Sequence, residues 1–164
     1  MSPRQKMPGF KDLLVLVNLR RNSRKNLTSI SRDTQIPVTT VFDKVRRLNL
    51  GIIKKHTSLL DFSRLGYNTQ VNLALLCKNK KETLAFLKQH SNVNAIYGLE
   101  RDYDYYVELI FRNLKELEEF TEKLDDLGVK KFESHHVIEE LKKEAFLTDI
   151  AHLKDYSLSS SRTL

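Results

Sequence analysis

The sequence predicts an α+β chain of two domains: an N-terminal winged helix-turn-helix, then a C-terminal ferredoxin-like β-α-β-β-α-β unit. Three observations predict it. Charge divides the chain, with 13 Lys and Arg against 3 Asp and Glu in residues 1–60, and 15 against 18 in residues 61–164. The apolar period of the first part is helical, with one proline-bearing break between two helices. Beyond Asp61 the period changes from 3.6 to 2 and back twice, the pattern of a split β-α-β fold. The expected boundaries are 1–60 for the first domain, 61–67 for a linker, 68–147 for the second domain and 148–164 for a C-terminal tail.

Met1 to Gly9, with two prolines, a glycine and the basic Arg4 and Lys6, is expected to be a loose arm. Lys11 to Arg21 is a helix with a broad apolar face (Leu13, Leu14, Leu16, Val17), and Asn22 to Asn26 is the loop after it. Leu27 to Asp33 is a short helix carrying Leu27 and Ile30 on one side. Thr34-Gln35-Ile36-Pro37 breaks it. Val38 to Leu50 repeats apolar residues at Val38, Val41, Val45 and Leu48, and Gly51 ends that helix. Ile52 to His56 reads as a short basic strand, the wing. Helix, tight turn, basic second helix and basic ribbon is the layout in which the second helix enters the major groove of DNA.

In the second domain, Val71, Leu73 and Leu75 alternate as a strand. Lys80 to His90 is a helix with Leu84 and Leu87 spaced along it. Val93 to Leu99 and Tyr105 to Arg112 are strands, the latter with Val107, Leu109 and Phe111 on one face. Leu114, Leu117, Phe120, Leu124 and Leu127 mark a long amphipathic helix stopped by Gly128. Lys130 to Leu141 is expected as a fourth strand, bent near His136. Helices on one side leave the other face of such a sheet open, with enough apolar residues to call for a second copy. Tyr156 to Leu164, with four serines, is expected to be disordered.

Composition narrows the function. Hydrophobic residues make up 40% of the chain, enough for globular cores. A domain of about 60 residues buries only about 60% of its unfolded surface, so the first should need help from a partner subunit or from the second domain. The early apolar run Leu13 to Val17 is too short for a signal peptide or a membrane span, which predicts a cytoplasmic protein without membrane association. Cys77 is the single cysteine and reads as a small buried hydrophobe. His135-His136 would point to opposite faces of a strand, and no Cys/His cluster supports a metal. No cofactor and no catalytic residues are expected, because no phosphate loop or Ser/His/Asp pattern is present. The acids from Glu116 to Asp126 suit a solvated helix face.

A basic half on a helix-turn-helix points to double-stranded DNA as partner. On the second helix, Val38, Thr39 and Thr40 lie at its start. Lys44 and Arg47 are expected on the outward face with Thr40 a turn back, Lys suiting phosphate and Arg suiting guanine. Arg46 would meet the backbone or solvent. Asp43 would accept a cytosine amino proton or pair with a neighbouring Arg. Lys54 and Lys55 suit a wing on a phosphate strand, and Arg24 and Lys25 in the earlier loop are grouped with them.

Leu19-Arg20-Arg21-Asn22-Ser23-Arg24, Leu27-Thr28-Ser29-Ile30 and Ile36-Pro37-Val38-Thr39-Thr40-Val41 carry a longer pattern. Val45-Arg46-Arg47-Leu48, Gly51-Ile52-Ile53, Asp61 and Leu65-Gly66-Tyr67 continue it. Over roughly residues 10–147 the chain resembles the Lrp/AsnC transcription regulators of bacteria and archaea. The resemblance implies a DNA-binding winged helix, a linker, and a ligand-binding and oligomerisation domain. It also implies dimers, often four in an octameric ring, and an amino-acid effector held between dimers. In that family the effector loop commonly reads Gly-x-x-Asp before a strand. Here Gly98, Glu100, Arg101, Asp102 and Asp104 are the candidate effector residues. Three residues before Asp104 stands Arg101, and three before Asp102 stands Leu99, so either the loop is longer or the pocket is altered.

The reading is therefore a sequence-specific, non-enzymatic regulator on a near-palindromic site. Two others share the architecture. One is an enzyme resembling sirohaem decarboxylases, for which His56, His90, His135, His136 and His152 would be candidates and a basic helix-turn-helix would be superfluous. The other is a nucleoid-compacting DNA binder with little sequence preference.

Overall fold

The computed structural model describes residues 7–153. Most of the expected arm (1–6) and the expected disordered segment Tyr156–Leu164 lie outside them. The described chain forms two compact units, one of residues up to Leu59 together with Lys142 onward, the other Leu60–Leu141.

The first unit holds α1 (Phe10–Arg21), α2 (Leu27–Thr34) and α3 (Val38–Gly51). Asn26 caps α2, its side chain accepting from Ser29 N–H at 2.7 Å. Gln35 then turns the chain in the left-handed region at φ 56°, Ile36 inserts into the core, and Pro37 precedes the first residue of α3. Val15 and Leu19 of α1, Ile30 of α2, Ile36, and Val41 and Leu48 of α3 form one apolar cluster. The opposite side of α1 forms a second cluster, in which Leu13 and Val17 close on Leu153. A helix apolar all round must be covered all round, and here residues of the C-terminal segment complete the cover. Leu153 is 1% exposed. Arg20 pairs with Glu144 and donates to the Phe146 carbonyl at 3.3 Å, and Arg21 Nε donates to the Thr148 carbonyl at 3.1 Å.

Two expectations fail in this unit. Residues 52–56 are not a strand: Ile52 and Ile53 both donate N–H to the Leu48 carbonyl, finishing α3, and no ladder partner follows among the described residues. The part of the expected tail that is described, 148–153, is packed, and Lys142–Leu147, expected in the second domain, joins it on the first unit.

The second unit runs β1 (Thr69–Cys77), α4 (Lys80–Gln89), β2 (Val93–Gly98), β3 (Tyr105–Phe111), α5 (Leu114–Asp126), β4 (Val129–His136). All pairings are antiparallel, in the order β2-β3-β1-β4. Asn79 and Asn113 cap α4 and α5. Alternation sends Val71, Leu73, Leu75, Val107, Leu109 and Phe111 against Leu87 of α4 and Leu117, Phe120 and Leu124 of α5. The other face carries Asn72, Ala74, Tyr106, Glu108 and Ile110. β4 stops at His136, short of the expected Leu141, because pairing with β1 ends opposite Val71 and the chain leaves the ladder. Before β1, the expected linker is a capped turn: Asp61 Oδ1 accepts from the Ser63 hydroxyl at 2.6 Å, and Gly66 closes it at φ 85°. Cys77 is buried, which pushes its thiol up from its ordinary range.

Candidate functional site

The outward stripe of α3 differs from the one expected. Lys44, read as facing outward, turns into the fold: its Nζ lies 2.6 Å from Asp12 Oδ1, and its side chain is 14% exposed. Arg47 Nη2 reaches the same oxygen at 2.6 Å, while most of its guanidinium stays in solvent. Thr40, one turn back, is half-buried. The stripe Thr40, Lys44, Arg47 thus leans on α1. Thr39, Phe42, Asp43 and Arg46, spaced three and four apart, form the exposed stripe, with Val38 beside them at 44% exposure instead of in the core. Arg46 has no intramolecular partner among the described residues.

The cause is Asp12. As the third residue of α1 it accepts the Gly9 N–H at 3.0 Å, capping its own helix, and holds two cations of α3 as well. Burial alone would raise this carboxyl. The hydrogen bonds from Lys44, Gly9 N–H and Arg47 outweigh burial and hold it below its usual range. Lys25 is likewise engaged at home. It pairs with Asp33 and donates to Asn18 Oδ1 at 2.6 Å, tying the loop to α1 and α2. Arg24, Lys54 and Lys55 are exposed.

At the sheet, residues 99–104 connect β2 to β3. Gly98 is extended enough to need no glycine: its φ is not positive, and nothing lies within 4 Å of where a Cβ would be. Arg101 instead takes the left-handed conformation, at φ 76°. Asp104 points into its own chain. Its Oδ2 accepts the Cys77 N–H at 2.8 Å and its Oδ1 pairs with Lys80 at 2.6 Å. The Lys80 ammonium first and the Cys77 amide second hold this carboxyl below the usual range. Glu100, Arg101 and Asp102 are exposed.

The Lrp/AsnC ligand binding domain matches residues 72–147. Over 112 residues the chain is 31% identical to the HTH-type transcriptional regulator Ptr1 of Methanocaldococcus jannaschii, covering 66% of this chain and 76% of that one. The chain belongs to the Lrp/AsnC family. It is also 26% identical over 137 residues to an uncharacterized HTH-type transcriptional regulator of Pyrococcus horikoshii, covering 81% of this chain and 93% of the relative. A Neisseria meningitidis transcriptional regulator solved as a complex with L-methionine shares the fold: TM-score 0.77, 19% identity, 84% of this chain and 94% of that one. These relatives are named as transcriptional regulators, which gives no support to the tetrapyrrole enzyme.

Arg101, three residues before Asp104, adopts a backbone conformation that glycine would take more cheaply. Sequence reasoning missed Asp12 and Phe42. An Asp three residues after a helix-starting Gly was the available signal for the first. Phe42 follows the buried Val41 directly, which places it off the core stripe of a helix.

Proposed function

We propose that the protein is a sequence-specific DNA-binding transcription regulator whose winged-helix-type reading head inserts α3 into the major groove. The observation that carries this reading is the unpaired outward stripe of Thr39, Phe42, Asp43 and Arg46 on a helix of the strongly basic half, in a chain of the Lrp/AsnC family. Arg46 offers a guanidinium fork to guanine, Phe42 an apolar contact for a thymine methyl, and Thr39 a hydroxyl at the helix start. Arg24, Arg47, Lys54 and Lys55 supply phosphate contacts, while Lys44 and Lys25 act indirectly by fixing the helices. The wing role of 52–56 is taken by an irregular basic segment.

The ferredoxin-like second domain is the assembly unit. Asn72 Oδ1, on the sheet face away from the helices, is buried without a hydrogen-bond donor among the described residues, which suits a face completed by a second copy. A dimer would present two α3 helices to a near-palindromic site, and four dimers would form the octamer. An amino-acid effector at the 98–104 loop would alter that assembly. The protein would work beside DNA in the cytoplasm, without enzymatic activity.

The test is selection from a random duplex pool at near-physiological salt, with and without mixed amino acids. An enriched two-fold motif is expected, its spacing or strength changing with amino acids. Uniform, steeply salt-sensitive binding would replace this reading with DNA compaction, and no binding would end it.

A further inference from the structure

At the far end of β3 from the 98–104 loop, the start of β2, the end of β3 and the first turn of α5 enclose a cleft of about 400 Å³. Tyr105 to Phe111 spans about 20 Å at the rise of a strand, so the cleft and the loop are separate places. The size suits a small molecule.

Its chemistry is specific. Arg112 stacks over the Tyr67 ring, 5.4 Å from guanidinium carbon to centroid, which fixes the plane of the fork. That fork has no carboxylate or other hydrogen-bond acceptor among the described residues, unlike Arg20, Arg47 and Arg64. Glu116 accepts the Arg112 N–H on one carboxylate oxygen at 3.1 Å, and its other oxygen has no partner among the described residues. The wall is rigid, because Asn92 Nδ2 donates to the Ile110 carbonyl at 2.7 Å while Ile110 N–H donates to the Asn92 carbonyl at 2.9 Å. A pre-set cation, a nearby carboxylate and a fixed wall are a recognition site in search of a ligand carrying both an acid and a donor.

We propose that this cleft binds a small organic carboxylate with an amino or hydroxyl group on the carbon next to it, the carboxylate on Arg112 and the donor on Glu116. A planar fork meets a carboxylate with two parallel hydrogen bonds. Glu116 disfavours a bare multivalent anion such as phosphate by like-charge repulsion. Tyr67 follows the capped turn of Asp61–Gly66, the first element after the chain leaves the other unit at Leu59. Ligand on Arg112 and Tyr67 therefore orders the start of the sheet unit, which is where binding energy could influence the tether to the reading head.

The test is calorimetric titration of the full chain with L-serine, L-lactate, acetate and inorganic phosphate. Saturable binding of serine or lactate, with acetate weaker and phosphate absent, is expected. Arg112→Gln should weaken it at least tenfold, and Arg112→Lys should weaken it less. Asn94→Asp, which sets a like charge in the same cleft, is the second variant and should also weaken it. Serine preferred over lactate, with the preference lost in Glu116→Gln, would identify the amino acid as ligand; equal binding would identify the hydroxy acid as equally accepted. Binding of none of these compounds, or binding indifferent to Arg112→Gln and Asn94→Asp, would overturn the site. None of these readouts uses DNA, so the proposal stands or falls apart from the regulator reading.

Discussion

Asp12 shows how one carboxylate can decide which side of a helix is left facing solvent. It draws Lys44 and Arg47 toward α1, and by doing so leaves Arg46 as the unpaired arginine of α3. Two alanine substitutions separate the roles. Arg46→Ala should cost DNA affinity about 1–3 kcal/mol and leave folding unchanged. Lys44→Ala should instead lower folding stability by about 1–3 kcal/mol, since it removes a charged partner from a largely buried carboxylate. Titration with operator DNA and urea unfolding of the same two variants check both; equal losses of affinity at unchanged stability would return Lys44 to the reading surface. Arg101 offers a second residue-level test. A non-glycine residue in the left-handed region costs about 1 kcal/mol, partly offset by the greater freedom glycine has when unfolded. Arg101→Gly should therefore stabilise the sheet unit by up to about 1 kcal/mol, read as a higher denaturation midpoint. Periodicity could not have shown either effect, because both depend on where a side chain finds a partner or on a single backbone angle.

At the scale of elements, the five α-helices and four strands of the described residues were all legible in kind and order, since most are capped or broken by a residue that says so. Asn26, Asn79 and Asn113 precede their helices, Pro37 precedes α3, and Gly128 at φ 71° leads α5 into β4. The failures lie where no periodicity exists. Ile52 to His56 has strand-forming residues but no neighbouring strand to pair with among the described residues, and β4 leaves the ladder after His136 although β1 runs on to Thr69. The C-terminal segment was illegible for a different reason: Leu153 is a single apolar residue, and only its burial between Leu13 and Val17 reveals its role. Leu153→Ala should cost the first unit about 3 kcal/mol, within the range for a fully buried leucine. For a unit of this size that is a large share of total stability. Hydrogen exchange should show amides of α1 to α3 opening while those of β1 and β3 keep their protection. Loss of protection in both units together would mean that they unfold as one.

Across the molecule, stability should depend on pH in two windows. His90 sits against Phe86 and Phe120, its ring 4.8 Å from the latter in an edge-on contact, and its Nδ1 accepts the Asn92 N–H. Burial first, and the Lys123 charge second, lower its pKa from an ordinary 6.5. The unfolded chain then binds a proton that the folded chain refuses. Stability should fall as pH drops below about 6.5 and level off once the folded imidazole is protonated too. Asp12 and Asp104 act lower down. Their folded carboxyls are depressed from 3.8, so their contribution is complete above that value and is lost as pH falls through their folded pKa values. Urea midpoints from pH 8 to pH 3 should trace both windows, and His90→Gln should flatten the upper one alone.

The first and last described stretches of the chain share one core, with the whole sheet unit strung between them. Synthesis on the ribosome gives that arrangement a consequence in time. α1, α2 and α3 emerge first and can associate early, yet the side of α1 that carries Leu13 and Val17 stays uncovered until Leu153 has left the exit tunnel. Domains made first usually finish folding first; here the earliest-made helices are completed after the sheet has been translated. A nascent chain would carry an unfinished helical unit through most of its own translation, and that unit would gain its full stability only once the sheet unit had been made.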